Sequence, residues 1–294
     1  MLLTLIGLVA LPVAALTTIG TRDRRALSLG IPAGLIALLW LALPGALPDQ
    51  VIRSAALIAA VAFAITTLFT RWSVTHRGLL SVVTATMGVT GAFAVFGWSW
   101  DRLHWWVAHQ AAITLRFVLS GLWNVARLQG DGQVSGPSAT MLSRFESGYV
   151  RTVANLFPAL SALQMLIGMG VGAAIYYRLA GHPVGRMPGR FSTFRFSEHV
   201  GWAAVIPLAI LLLPTLDAVK LLAWNLLTVT GAMYALRGAA VVAFAGQLWG
   251  GPVLYVLGAA ALFLLLPFVP AGALLLGVLD SGLDLRRRWT APRA

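Results

Sequence analysis

Residues 152–177 read TVANLFPALSALQMLIGMGVGAAIYY, an unbroken run without one charged side chain between Arg151 and Arg178. A helix that crosses the hydrocarbon core of a bilayer needs about 20 apolar residues, with a range of roughly 17–25. In hydrocarbon the backbone must satisfy its own hydrogen bonds, which an α-helix does within a single segment. The stretch therefore reads as a membrane span, and it has company. Further uncharged runs cover 2–20, 26–48, 54–70, 78–100, 200–216, 221–236 and 238–279. The last is too long for one helix. Gly250-Gly251-Pro252 and then Pro267 and Pro270 punctuate it, and Gly and Pro are the usual breakers. It reads as the end of one helix followed by two short ones, near 252–266 and 268–283, for nine crossings in all.

Composition supports the same class. Of 294 residues, 59% are hydrophobic and 10% charged, and the mean hydropathy is +0.85. Soluble domains carry about 25% charged residues, so this chain cannot cover a water-facing surface. A soluble enzyme, a disordered chain and a coiled coil are excluded; the expected fold is all-α, a polytopic integral membrane protein. The sequence has no Cys, which removes disulfides, thiolate metal sites and Cys nucleophiles.

Basic residues number 21 against 9 acidic ones, for a net charge of +12, and Lys220 is the lone lysine. The arginines sit in short loops between apolar runs, the pattern that holds loops on the cytoplasmic side, rather than a nucleic-acid patch. Arg22, Arg24 and Arg25 follow the first run instead of preceding it, so that run reads as an uncleaved helix with its N-terminus outside. By alternation the inside loops are 21–28, 71–77, 178–199, the region after Arg237 and the C-terminal tail.

The segment 101–151 differs from its neighbours. Its polar residues recur as Arg102, His109, Arg116, Ser120, Asn124, Arg127 and Asp131, a single stripe on a helix. The helix either lies in the outer interface, with Trp105, Trp106 and Trp123 at headgroup depth, or crosses with the stripe lining a polar cavity. Crossing would flip every later loop, so the interfacial placement is preferred. From Gly130-Asp131-Gly132 to Gly136-Pro137-Ser138 the composition is that of a loop. The chain thus divides into four N-terminal spans (1–100), an extracytoplasmic amphipathic helix and loop (101–151), and five C-terminal spans with a basic tail (152–294).

Enzyme templates are missing. No His-x-x-x-His or Glu-x-x-His pair, Walker loop or Gly-x-Ser-x-Gly elbow occurs, so no catalytic residue, metal or cofactor is expected. Asp280 and Asp284 are the close carboxylate pair, and Asp284 lies four residues before Arg288, which reads as an i,i+4 ion pair at a helix end. Polar groups inside a bilayer are costly and mark sites. The fifth span holds Asn155 and Gln164; the seventh holds Asn225, Thr228, Thr230 and Tyr234, with Lys220 and Arg237 at its ends. These residues suggest a neutral hydrogen-bonding pocket between the two spans. Ordinary interhelical hydrogen bonding, worth about 0.6 kcal/mol per contact, uses the same residue types. Lys220 and Arg237 read as snorkelling anchors. Gly168 and Gly172, and the column Gly231, Ala235, Ala239 and Ala243, mark close helix packing.

Several of these residues carry a family resemblance: Leu156-Phe157-Pro158, Phe194-Arg195-Phe196 with Trp202, Asn225 and Tyr234. The sharpest signal is the ending Gly277-Val278-Leu279-Asp280-Ser281-Gly282-Leu283-Asp284-Leu285-Arg286-Arg287-Arg288, which looks like a closing Gly-x-x-Asp-x-x-x-Asp-x-Arg pattern. On these, the chain resembles the YybS-like bacterial membrane proteins, designated a domain of unknown function, over roughly 150–290; the first four spans match in hydropathy. It departs from the family at Phe196-Ser197, where Leu-Pro is frequent, and at Arg237-Gly238, where Gln-Gly is. The resemblance implies a cytoplasmic C-terminus and a bacterial cytoplasmic membrane. More loosely it implies kinship with the substrate-binding subunits of energy-coupling-factor transporters, which dock to an energising transmembrane subunit with ATPases. Such docking often uses Ala-x-x-x-Ala in the first helix, a form present at Ala10 and Ala14 but also at Ala55 and Ala59 and at Ala56 and Ala60.

The expected function is accordingly a small-molecule-binding membrane subunit of an uptake system, with ligand contacts at Asn155, Gln164, Asn225, Thr228, Tyr234 and Arg237. The alternative is a non-catalytic scaffold or accessory subunit of a membrane or envelope complex, with Arg102, His109, Arg116 and Asn124 on its amphipathic helix as contact surface.

Overall fold

The computed structural model describes residues 2–19, 24–129, 139–185, 187, 189–196, 201–249 and 269–290. Among them every regular element is a helix. In chain order these are α1 (Leu2–Ile19), α2 (Arg24–Ala42), α3 (Leu47–Phe69), α4 (Val74–Phe96), α5 (Trp100–Gln129), α6 (Ala139–Asn155), α7 (Phe157–Leu179), α8 (Trp202–Leu212), α9 (Asp217–Trp249), α10 (Val269–Leu283) and α11 (Leu285–Thr290). Short 3-10 turns occupy Phe191–Thr193 and Pro214–Leu216. Five helices are long and apolar enough to cross a membrane: Arg24–Ala42, Leu47–Phe69, Val74–Phe96, Phe157–Leu179 and Val219–Leu248. Three shorter apolar helices join them, Thr4–Ile19, Trp202–Leu212 and Val269–Leu283. The helix expected near 252–266 and its Gly250-Gly251-Pro252 and Pro267 breaks lie outside the described residues, as do Asp131 and the 130–138 loop.

Contacts divide the chain into two compact units, Met1–Trp72 with Arg77–Gly185, and Ser73–His76 with Arg186–Ala294. In the first unit α1 is central, packing against α2, α3 and α7. Its neighbours approach closely because they carry glycine. A Cβ on Gly168 would sit 2.6 Å from the Leu8 carbonyl oxygen, and one on Gly172 2.7 Å from Pro12 Cγ. The Gly-x-x-x-Gly step is thus internal packing of α7 on α1. The Ala-x-x-x-Ala steps of α3 are also consumed inside this unit, since Ala55, Ala56, Ala59 and Ala60 are all buried.

Helices α5 and α6 pair. The buried face of α5 is apolar, Leu103, Val107, Ala111 and Leu115 at steps of four. The stripe residues Arg102, His109 and Arg116 are exposed, on the opposite side of the helix. Arg116 Nε donates to Glu146 of α6 at 2.6 Å. Residues 139–151, placed in the helix-and-loop segment 101–151 without an element of their own, are helical. Leu142, Glu146, Val150 and Val153 are half-buried, spacings that give α6 one face to lay on α5. Pro158 then starts α7 from its first turn, where a missing N–H costs nothing.

In the second unit α9 packs against α8, α10 and α11 and against the 191–193 turn. It runs unbroken past Arg237. Gly238 and Gly277 make the α9–α10 contact reciprocal: a Cβ on Gly238 would fall on the Ala273 carbonyl, and one on Gly277 on the Tyr234 carbonyl.

Candidate functional site

The best-formed polar centre of the second unit is built where α9, α10, α11 and residues 190–196 meet. Asp280, near the end of α10, is fully buried. Its Oδ2 accepts from Arg237 Nε of α9 at 2.8 Å and from Arg286 Nη2 of α11 at 2.7 Å. Arg237 Nη2 also donates to the Asp280 carbonyl oxygen at 3.1 Å. Arg286 Nη1 donates to the carbonyls of Ser192 and Phe194, at 2.9 and 3.0 Å. Two buried guanidiniums thus share one carboxylate. The surplus positive charge is met by three backbone carbonyl dipoles, which is how a buried ion cluster avoids an uncompensated charge. The Arg237 guanidinium lies 5.3 Å from the Phe196 ring centroid, and Phe196 meets Tyr234 edge to face at 5.1 Å.

Local backbone geometry makes the cluster possible. Gly277 lets α10 close on α9 one turn before Asp280. Asp284 then adopts φ 45°, the left-handed conformation that ends a helix, and the chain restarts as α11 with Arg286 turned back toward Asp280. Asp284 itself pairs with Arg195 at 2.6 Å, both partners partly exposed. The expected Asp284–Arg288 pair is therefore corrected: the Asp284 carboxylate bonds to Arg195, 89 positions away, while its carbonyl still accepts from the Arg288 N–H at 3.2 Å. Arg237, expected as a snorkelling anchor, is instead buried on Asp280.

An open groove of about 390 Å³ lies between α9 and α10, lined by Trp224, Leu227, Thr228, Gly231, Ala232, Ala235, Pro270, Ala271 and Leu274. Thr228 is its polar side chain. Of the other expected contact residues in this unit, Asn225 is buried and donates to the Leu221 carbonyl at 2.9 Å. Thr228 and Thr230 donate to Trp224 and Leu226 carbonyls, at 2.8 and 2.9 Å. All three thus bond back to their own helix. Tyr234 is half-buried against Phe196. Asn155 and Gln164 belong to the first unit. There the Asn155 Oδ1 lies 3.0 Å from His104 Nε2, tying α6 to α5, and Gln164 is half-buried on α7. Arg102, His109 and Arg116 are exposed, and His109 stacks on Trp105 with ring centroids 5.2 Å apart. The side chains of Asn124 and Arg127 lie outside the described residues. Among the described residues no group of three His, Asp or Glu is placed to hold a metal ion.

Sequence reasoning picked out Arg237, and Asp280 with Arg286 in the closing pattern, but did not join them, and it missed the carbonyls of Ser192 and Phe194. One signal was available: the uncharged run 238–279 is bounded by Arg237 and Asp280. Opposite charges that bound one long uncharged run are candidates to pair.

Apolar helices of spanning length, packed through glycines and holding their charges in a buried cluster, define a helical integral membrane protein. Within that class the assignment is to a family: the profile described as "Predicted membrane protein (DUF2232)" matches residues 1–281, and the chain belongs to it. The match extends the YybS-like resemblance through the N-terminal spans. No curated protein and no solved structure matches the chain.

Proposed function

We propose that the protein is a non-catalytic, multi-pass protein of the bacterial cytoplasmic membrane that binds a small molecule for an uptake system. In this reading it acts in the manner of energy-coupling-factor substrate-binding subunits, beside an energising transmembrane subunit with ATPases. It crosses nine times, with the N-terminus outside and the C-terminus cytoplasmic. The loop arginines support that orientation. The count draws support from five described helices long and apolar enough to cross and three shorter apolar ones.

The observation that carries the binding reading is the open α9–α10 groove of about 390 Å³. Its size falls in the range of roughly 300–1,000 Å³ typical of small-molecule sites, which are mostly apolar with a few polar groups. The ligand is accordingly apolar, with one group that bonds the Thr228 hydroxyl. Of the polar residues first expected to form the site, Thr228 lines the groove, and its neighbours there include Trp224 and Leu274.

A scaffold role is the second reading. It is favoured by the α5–α6 pair, which exposes Trp105, Phe117, Phe145 and Tyr149 beside Arg102 and Arg116. Purification of the full chain in mild detergent, with mass spectrometry of everything retained, separates the two. A stoichiometric small molecule that Gly231→Leu displaces without loss of expression supports binding. Envelope proteins retained without any small molecule would leave the scaffold.

A further inference from the structure

Helix α10 carries an exposed apolar ridge. Leu275, Val278, Leu279 and Leu283 are 62%, 47%, 49% and 42% exposed, and their spacing places them on one helix face. In a membrane protein such a ridge is covered by acyl chains, since lipid takes the place that water has around a soluble helix. The chain then meets three consecutive arginines. Arg286 is turned inward and used by Asp280, Ser192 and Phe194. Arg287 and Arg288 are exposed. Arg287 and Arg288 follow the Asp284 turn that ends α10, four and five residues on from Leu283 at the end of the ridge. Asp284, the nearest acid, is occupied by Arg195. The two carbonyls that hold Arg286 belong to the same segment as Arg190 and Phe191, which are both exposed. A rigid basic and aromatic patch results, with Arg190, Phe191, Arg287 and Arg288 on its surface.

We propose that this patch binds the phosphate headgroup of anionic phospholipid where α10 leaves the bilayer. The patch follows the ridge directly in the chain, so a lipid that covers Leu279 and Leu283 with its tails has its phosphate at the end of α10 where the arginines begin. Guanidinium groups suit that partner because their planar donors pair with phosphate oxygens bidentately. An acidic protein would match the charge but not the ridge.

The test uses the full chain in nanodiscs of phosphatidylcholine, alone or mixed with an equal part of phosphatidylglycerol. Retained lipid is counted by native mass spectrometry, and the thermal midpoint is read alongside. Substitution of Arg287→Gln with Arg288→Gln is expected to weaken phosphatidylglycerol retention about fivefold per arginine, with the midpoint in pure phosphatidylcholine unchanged. Arg286→Gln is expected to lower the midpoint in both lipids, which separates the lock from the patch. Undiminished phosphatidylglycerol retention in the double variant would overturn the proposal. So would equal loss of both lipids, or loss of a co-purifying acidic protein with lipid retention intact. If the double variant does not express, Arg288→Gln alone gives the same reading at half the effect on a logarithmic scale.

Discussion

Each unit buries arginine among apolar helices, and the two units hold it differently. In the first unit Arg77 of α4 is fully buried. Its Nη1 donates to Thr67 Oγ1 at 2.8 Å, and its guanidinium lies 5.7 Å from the Phe63 ring centroid. Thr67 in turn donates to the Phe63 carbonyl at 2.7 Å. Beside it, Tyr177 donates to the Val184 carbonyl, and the Val184 N–H donates to Tyr176 Oη, which folds the loop after α7 over the site. Gly185 completes that loop at φ 88°, where a Cβ would also crowd Thr67 and Tyr177. In the second unit Arg237 and Arg286 converge on the Asp280 carboxylate. In the first centre the Arg77–Thr67 bond ties α4 to α3; the second joins α9, α10, α11 and the 190–196 segment through one shared anion. The lesson is about concentration of risk. A carboxylate shared by two buried cations is a single point on which a whole unit depends.

That contrast predicts a ranking. Asp280→Asn leaves two buried guanidiniums without their counter-charge and should destabilise the protein most, by about 3–5 kcal/mol. Thermal unfolding in mild detergent measures it, and a wild-type midpoint would break the comparison. Combining Asp280→Asn with Arg286→Gln should cost less than the sum of the single changes, because the two residues share one network. Thr67→Val in the first unit should cost about 1.5–3 kcal/mol, the worth of one hydrogen bond to a charged group. A loss equal to that of Asp280→Asn would show that the two centres are not different in kind. Arg195→Gln removes a partly exposed ion pair and should cost less than about 1 kcal/mol. A larger drop in midpoint would mean that the pair with Asp284 sets the α10–α11 turn.

Much of the fold was legible because it rests on one-dimensional signals. Uncharged runs marked the long apolar helices, and the polar stripe marked α5, whose residues Arg102, His109 and Arg116 are exposed opposite an apolar buried face. The helix at 139–155 escaped, because a polar amphipathic segment next to a Gly- and Pro-rich stretch looks like more loop until a partner helix offers it a face. The candidate site was less legible. Asn225, Thr228 and Thr230 drew attention as polar groups in apolar surroundings, yet each donates to a carbonyl of its own helix. That outcome depends on rotamers, not on residue type.

The sequence by itself determined the class of protein: too few charges to face water, helices of spanning length, loops marked by arginine, and a closing Gly-x-x-Asp-x-x-x-Asp-x-Arg pattern. Tertiary structure alone decided what that pattern does. Gly277 brings α10 onto α9, Asp280 is shared by Arg237 and Arg286, and Asp284 turns the chain while holding Arg195. Hydrophobic runs act through composition, which is local and survives in one dimension. An ion cluster acts through distances of about 3 Å between residues far apart in the chain, and only packing sets those.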